Sequence, residues 1–326
     1  MAVAEKKSDD DKKARGGKHS LKKRLHAWWE GYELPPLPAD GEAANDSAPS
    51  GGASEGDEAP AGEAVNDAPE WTEERQKLVE IVWGEGFAAP GGEERVVDLA
   101  QPFGLTSENS MLEIGSGPGG GACAVSEKIG AYVDGFDLNG EMAKKSLEIA
   151  LLKGLDSKTK VRQFDPEKLD LKKEYYDGAL IRETLMSIED KEALLDIVMD
   201  ALKPEKPLVI AEMFIEGQEP ADLAKSSING EFGEVFPCNV ERIESKIIEA
   251  CFNIRVNKDE TEAYVAMARA AWADVAGRLA DEKLQEELAD ALLRETTMWE
   301  RRIAAFEAFE LKMQRIVAFK PSAEIV

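Results

Sequence analysis

The stretch Met111-Leu112-Glu113-Ile114-Gly115-Ser116-Gly117-Pro118-Gly119-Gly120-Gly121 constrains this chain more than any other. A short apolar strand runs into a turn with five glycines in seven residues. An apolar run with helical spacing (Cys123, Val125, Ile129) follows it. Glycines let a backbone bend through positive φ and approach a ligand closely. The start of a helix presents N–H groups without intrahelical partners. Strand, turn and helix in this order predict a nucleotide-type ligand site, and the rest of the chain is read by its relation to it.

Beyond the turn, strands are predicted at Tyr132–Asp137, Val161–Phe164, Tyr176–Ile181 and Leu208–Phe214, with helices at Glu141–Lys153 and Lys191–Leu202. This alternation predicts an α/β fold, a parallel sheet with helices on both faces. Before the turn, helical patterns at Trp71–Val82 and Glu93–Leu99 flank a loop, Trp83 to Gly92. After the fifth strand come a helix (Val240–Ala250), a strand (Phe252–Val256), long helical patterns (Thr261–Leu279 and Glu282–Glu310) and a last strand (Met313–Phe319).

Charge divides the chain into three parts. Residues 1–38 form a basic tail, expected to be disordered apart from one short helix, and Lys12 to Arg24 hold seven basic residues and no acid. Within this tail, Leu21, Leu25, Trp28, Trp29 and Tyr32 fall on one helical face. Residues 20–32 therefore predict an amphipathic helix that meets a partner protein or an anionic membrane surface. Residues 39–70 hold nine acids and no base and predict a flexible linker. Residues 71–326 form the folded domain, with a helical insertion at about 260–311. The net charge of −25 disfavours nucleic acid and suits a neutral or cationic small substrate. No apolar run is long enough to span a membrane and none follows the N-terminal lysines, so neither a span nor a secretory signal is expected. The three cysteines, Cys123, Cys238 and Cys251, lie far apart. They predict no disulfide framework and no metal centre, and with the rest a cytoplasmic protein, peripheral at a membrane if the tail helix binds one.

Gly115, Gly117 and Gly120 satisfy G-x-G-x-x-G, and Asp137 lies 22 residues beyond Gly115, which matches the dinucleotide fingerprint in form. Glu113, two residues before the first glycine, argues against it. A carboxylate is unfavourable beside a pyrophosphate and favourable beside a cationic amine. Asp137 can accept from a ribose diol, and Asp165, after the third strand, from an adenine amino group. Amine, ribose and adenine without pyrophosphate describe S-adenosylmethionine.

Here the chain resembles the class I S-adenosylmethionine-dependent methyltransferases, whose first motif is an acid followed by G-x-G-x-G, matched by Glu113, Gly115, Gly117 and Gly119. The resemblance implies a Rossmann-like, seven-stranded, mostly parallel sheet with an antiparallel last strand. It also implies S-adenosylmethionine as cofactor, held by Glu113, Gly115, Gly117, Gly119, Asp137, Leu138, Asp165 and Arg182.

Further stretches are similar to the phosphoethanolamine methyltransferases. These are the loop Trp83 to Gly92, Lys312-Met313-Gln314-Arg315 at the last strand, and Arg182-Glu183 after the fourth. Three positions depart from that family. Trp71 stands for its tyrosine and Ser187 for its histidine, the pair that closes and activates the site, and Met213 for a phosphate-contacting tyrosine. The only histidines, His19 and His26, lie in the tail. Any base is therefore a carboxylate, a lysine, a tyrosine or none, which methyl transfer to an amine tolerates. Arg182, Glu183 and Ser187 are the catalytic candidates, and Glu212 after the fifth strand is also expected near the methyl group. Trp83 and Phe87, by their π faces, and Met213 are the substrate-binding ones. Trp272, Trp299, Phe306 and Phe309 are expected in the core. The function expected is methyl transfer to a small molecule, an amine or a lipid-headgroup-like acceptor. The alternatives are a degenerate methyltransferase-fold module tethered through its N-terminal helix, and a nicotinamide-dependent dehydrogenase.

Overall fold

Alternate side chains of a strand face opposite sides of a sheet, and here both sides are apolar. Met111 and Leu112, next to each other in β1 (Ser110–Ile114), enter different core clusters. Leu180 and Ile181 of β4 (Gly178–Arg182) do the same, and β5 (Pro207–Ile215) is buried along its whole length. Strands of this kind need helices on both faces.

The computed structural model describes residues 71–230, 234–279 and 282–322. The tail, the helix expected over 20–32 and the linker expected over 39–70 lie outside the described residues. On one face, α2 (Gly92–Ala100) and α3 (Gly120–Ile129) contribute Val96, Leu99, Ala122 and Val125. On the other, α5 (Lys191–Ala201) and α7 (Val240–Glu249) contribute Leu194, Leu195, Val198, Ile243 and Ile247. The remaining elements are α1 (Glu73–Trp83), β2 (Tyr132–Asp137), α4 (Gly140–Leu152), β3 (Thr159–Gln163), α6 (Asp222–Ile228), β6 (Asn253–Asp259), α8 (Thr261–Arg278), α9 (Glu282–Glu287), α10 (Ala289–Glu307) and β7 (Leu311–Phe319).

The seven strands run in the order β3-β2-β1-β4-β5-β7-β6. Pairing is parallel from β3 to β5, and β7 lies antiparallel between β5 and β6. Helix starts are fixed by side chains typical of caps. Thr72 accepts from the Arg75 amide at 3.2 Å, and Asn139 accepts from Glu141 at 2.9 Å. Gly130, in the left-handed region, ends α3.

Two expectations are corrected and one element is added. The pattern read as one helix over Glu282–Glu310 is two, broken at Leu288. The seven-residue α6 has too short a pattern to be read beforehand. Phe309, expected in the core, follows the end of α10 with positive φ and is 75% exposed. Among the described residues no helix is long and apolar enough to cross a membrane.

Candidate active site

The strand order turns outward in both directions between β1 and β4. In an open α/β sheet such a switch point leaves a crevice at the carboxyl ends of the strands. A cavity of about 460 Å³ lies there. The sheet side supplies Gly115, Gly117 and Pro118 of the turn, Asp137 and Leu138 after β2, Arg182 to Thr184 after β4, and Glu212 and Met213 of β5. Gly86, Ala88 and Ala89 of the loop after α1, Trp71, Arg75, residues 234–236, and Glu295, Met298, Trp299 and Arg302 of α10 are among the other lining residues.

The turn makes room for a ligand rather than for charge. Gly117 has φ +56, and a Cβ there would meet nothing within 4 Å. Gly119 has φ +84, and a Cβ there would run into the Ser146 hydroxyl of α4. Both positions need glycine, the first to leave space and the second to let two helices approach. The amides of the turn are largely engaged. Gly117 N–H donates to Asp137 Oδ2 at 2.8 Å and Gly120 N–H to the Gly86 carbonyl at 2.9 Å. A pyrophosphate would have to compete for both, which weighs against the dinucleotide reading.

Asp137 stands where the sequence places it, lining the cavity and also accepting from the Asn139 amide at 2.9 Å. Burial raises its pKa, with the Asn139 and Gly117 amides and Arg182 acting against the rise. Glu113 does not face the cavity. It is fully buried, within 3.3 Å of where a Cβ on Gly121 would sit, and so lies under the first turn of α3. Its Oε1 accepts from Arg182 Nη2 at 3.3 Å, and its Oε2 has no partner. The direct contact expected between Glu113 and a ligand amine is thereby replaced. Glu113 holds Arg182, and Arg182 reaches the cavity. Burial raises the Glu113 pKa, opposed chiefly by Arg182.

Asp165 is outside the cavity lining. It caps the short turn Pro166–Lys168, accepting from the Glu167 amide at 3.1 Å and from Lys168 Nζ at 2.5 Å. These bonds hold its carboxyl below the ordinary range. Asp165 is thus a capping residue, as aspartate commonly is after a strand.

The aromatic candidates are also corrected. Trp83 is buried, edge-on to Trp272 at 6.1 Å and against Trp299 at 4.8 Å. The Phe87 ring packs by Gly120. Neither lines the cavity: packing between α1, α8 and α10 takes up the Trp83 ring, and the cluster under α2 and α3 takes up Phe87. Trp71 and Trp299 line it instead. Each carries a guanidinium, Arg75 at 3.9 Å from the Trp71 ring centre and Arg302 at 4.6 Å from that of Trp299. Arg75 Nε also pairs with Glu295 at 2.6 Å. Met213 lines the cavity as expected.

The catalytic candidates Arg182, Glu183 and Ser187 all reach the cavity. Glu183 is joined there by Glu212, which is fully buried and accepts from the amides of Thr184 and Leu185, both at 2.7 Å, and of Met213 at 2.8 Å. Burial outweighs these three bonds and pushes the Glu212 pKa up to about 7. Arg75, Glu295, Met298, Trp299 and Arg302 were not among the sequence candidates. The available signal was on α10, where residues 295, 298, 299 and 302 share one helical face that mixes charge with apolar bulk. Among the described residues, no group of three His, Cys, Asp or Glu side chains is arranged to hold a metal ion.

A sheet of this order, with a glycine turn and an acid at the end of β2 at its switch point, defines the methyltransferases of class I. The methyltransferase-domain family matches residues 105–289, and the chain belongs to it, as a class I S-adenosylmethionine-dependent methyltransferase near the phosphoethanolamine N-methyltransferases. Phosphoethanolamine N-methyltransferase 2 of Caenorhabditis elegans is 30% identical over 145 residues, which cover 44% of this chain and 33% of the relative. The Plasmodium falciparum enzyme is 28% identical over 149 residues, 44% of this chain and 53% of the relative. The chain thus spans a third to about half of the length of these relatives. In fold it is similar to phosphoethanolamine N-methyltransferase 2 of Haemonchus contortus, solved with phosphomonomethylethanolamine and S-adenosylhomocysteine. The TM-score is 0.68 at 22% identity, covering 78% of this chain and 60% of that one.

Proposed function

We propose that the protein methylates the nitrogen of a small amine. The observation that carries this reading is the pair of cavity-lining carboxylates, Glu183 after β4 and Glu212 on β5, on the same switch-point cavity as the glycine turn. A cationic or proton-shedding acceptor fits beside them. A phosphate is disfavoured at that end.

The residues fit the cofactor. Gly117 leaves open space on a backbone only glycine adopts readily, Asp137 has lone pairs left for a ribose diol, and Leu138 adds an apolar wall. When bound, S-adenosylmethionine would supply an electrophilic sulfonium methyl group for the nitrogen lone pair, with the carbon–sulfur pair left on sulfur and one proton to be lost from the nitrogen. Arg182, held by Glu113, orients the turn side of the cavity. Glu183 accepts a hydrogen bond from the amine and draws off the proton. Trp71, Trp299 and Met298 exclude water around the acceptor. Catalysis by positioning of this kind needs no histidine.

The relatives named above support a small-molecule acceptor. Trp71, Ser187 and Met213 support one that differs from theirs. A non-catalytic interaction module gains no support from a cavity lined in this way. Transfer of labelled methyl groups from S-adenosylmethionine to pooled amines, phenols and proteins tests the proposal. Label in the amine pool is the expected result, and label confined to phenols or proteins overturns it. On sequence grounds, residues 20–32 are further proposed to bind anionic membrane. Co-sedimentation with anionic vesicles should be lost in a chain starting at Trp71, and equal behaviour of the two chains overturns this.

A further inference from the structure

Glu183 occupies a strained position. It is the residue directly after β4, and its φ is 48, in the left-handed region where a non-glycine residue costs roughly 1 kcal/mol. Its amide is anchored to the Ala211 carbonyl at 3.0 Å. One carboxylate oxygen, Oε2, accepts from the Tyr264 hydroxyl at 2.6 Å. The other, Oε1, is shut off from solvent and has no hydrogen-bond partner. Glu183 lines the cavity. A buried carboxylate oxygen without a donor is costly unless a ligand supplies one.

The phenol that holds Oε2 cannot move away. Tyr264 belongs to α8, in the helical insertion, and is fully buried. Its ring packs on Trp299 at 6.2 Å and Phe306 at 5.8 Å, with the Arg95 guanidinium 5.3 Å from its centre. Arg95 is itself fixed by a buried pair with Glu260 at 3.3 Å. Burial also keeps the Tyr264 pKa well above the ordinary value, so the phenol keeps its proton and remains a donor.

We infer that Tyr264 is a positioning residue for methyl transfer: it holds one oxygen of Glu183 and so fixes the carboxylate that meets the acceptor nitrogen. This rests on the reading of the cavity as an amine methyltransferase site. It gives the helical insertion a role in the reaction, since Tyr264 comes from α8 and two of the aromatics that fix it come from α10.

Kinetics of the full chain, with the amines that accept label, test it. Tyr264→Phe should lower kcat about tenfold, the loss of one hydrogen bond to a charged group, while the KM for S-adenosylmethionine and the affinity for S-adenosylhomocysteine stay unchanged. Glu183→Gln should lower kcat about a hundredfold. The double variant should be no slower than Glu183→Gln, because the phenol acts only through the carboxylate. Glu183→Asp keeps the charge but withdraws it from the phenol by one methylene, and should fall as Tyr264→Phe does. Losses that multiply in the double variant, or weakened S-adenosylhomocysteine binding in Tyr264→Phe, overturn the assignment and leave Tyr264 a packing residue. If S-adenosylhomocysteine binds but no amine is labelled, the amine reading itself fails and the assignment fails with it.

Discussion

Glu212 shows how a single residue can be read from its surroundings. Three backbone amides favour its ionised form, yet complete burial wins and its pKa lies at about 7, against an ordinary 4.5. Between those values the native chain holds a proton that the unfolded chain has lost. This contribution to stability therefore falls as pH rises through that window and stays low above it. The size is roughly 3 kcal/mol. Urea unfolding at about pH 5 and about pH 8 should show the stability difference between wild type and Glu212→Gln shifting toward the variant by that order; a constant difference contradicts it. Asp137 and Asp165 make a second comparison. Both are acids at strand ends, but only Asp137 lines the cavity. Asp137→Ala should weaken S-adenosylhomocysteine binding about tenfold or more, by loss of a ligand hydrogen bond and of the bond to the Gly117 amide. Asp165→Ala should leave the affinity within about twofold, since it removes only an exposed cap. The sequence assigned both aspartates to the cofactor, Asp137 to its ribose and Asp165 to its adenine, because position after a strand is visible in a sequence, while the direction of the following turn is not.

At the scale of elements, α10 supplies a wall of the switch-point cavity. It meets α1 through Arg75 and Glu295, both nearly buried. Replacing one partner of such a pair leaves a buried charge uncompensated, so Arg75→Met should cost about 3 kcal/mol in urea unfolding, and Arg75→Met/Glu295→Leu should recover most of it. Equal losses in both would show that packing, not charge, governs this contact. The strands and helices around the glycine turn were legible because their patterns differ in period, about two against 3.6. The helical insertion was legible as helix but not as part of the site. Trp299 reads as a core aromatic, and it is buried, yet it also lines the cavity. Which face of α10 looks into the cavity depends on how the insertion crosses the sheet, a long-range relation that periodicity does not carry. Trp83 and Phe87 show the reverse: their place in a glycine-rich loop suggested ligand contact, and packing between helices claimed them.

For the molecule as a whole, local chemistry and sheet topology converge on one place. Glycines 115–121, the acid at the end of β2 and the strand order all put the ligand at the β1–β4 switch point. Glu113 pointed to the right class of ligand, although it lies outside the cavity lining and pairs with Arg182, which lines it. Titration calorimetry of the full chain with S-adenosylhomocysteine and with NAD tests this convergence most directly. The account predicts one S-adenosylhomocysteine per chain, bound with a Kd on the order of micromolar, and no heat with NAD. Tight binding of NAD with no response to S-adenosylhomocysteine would contradict it.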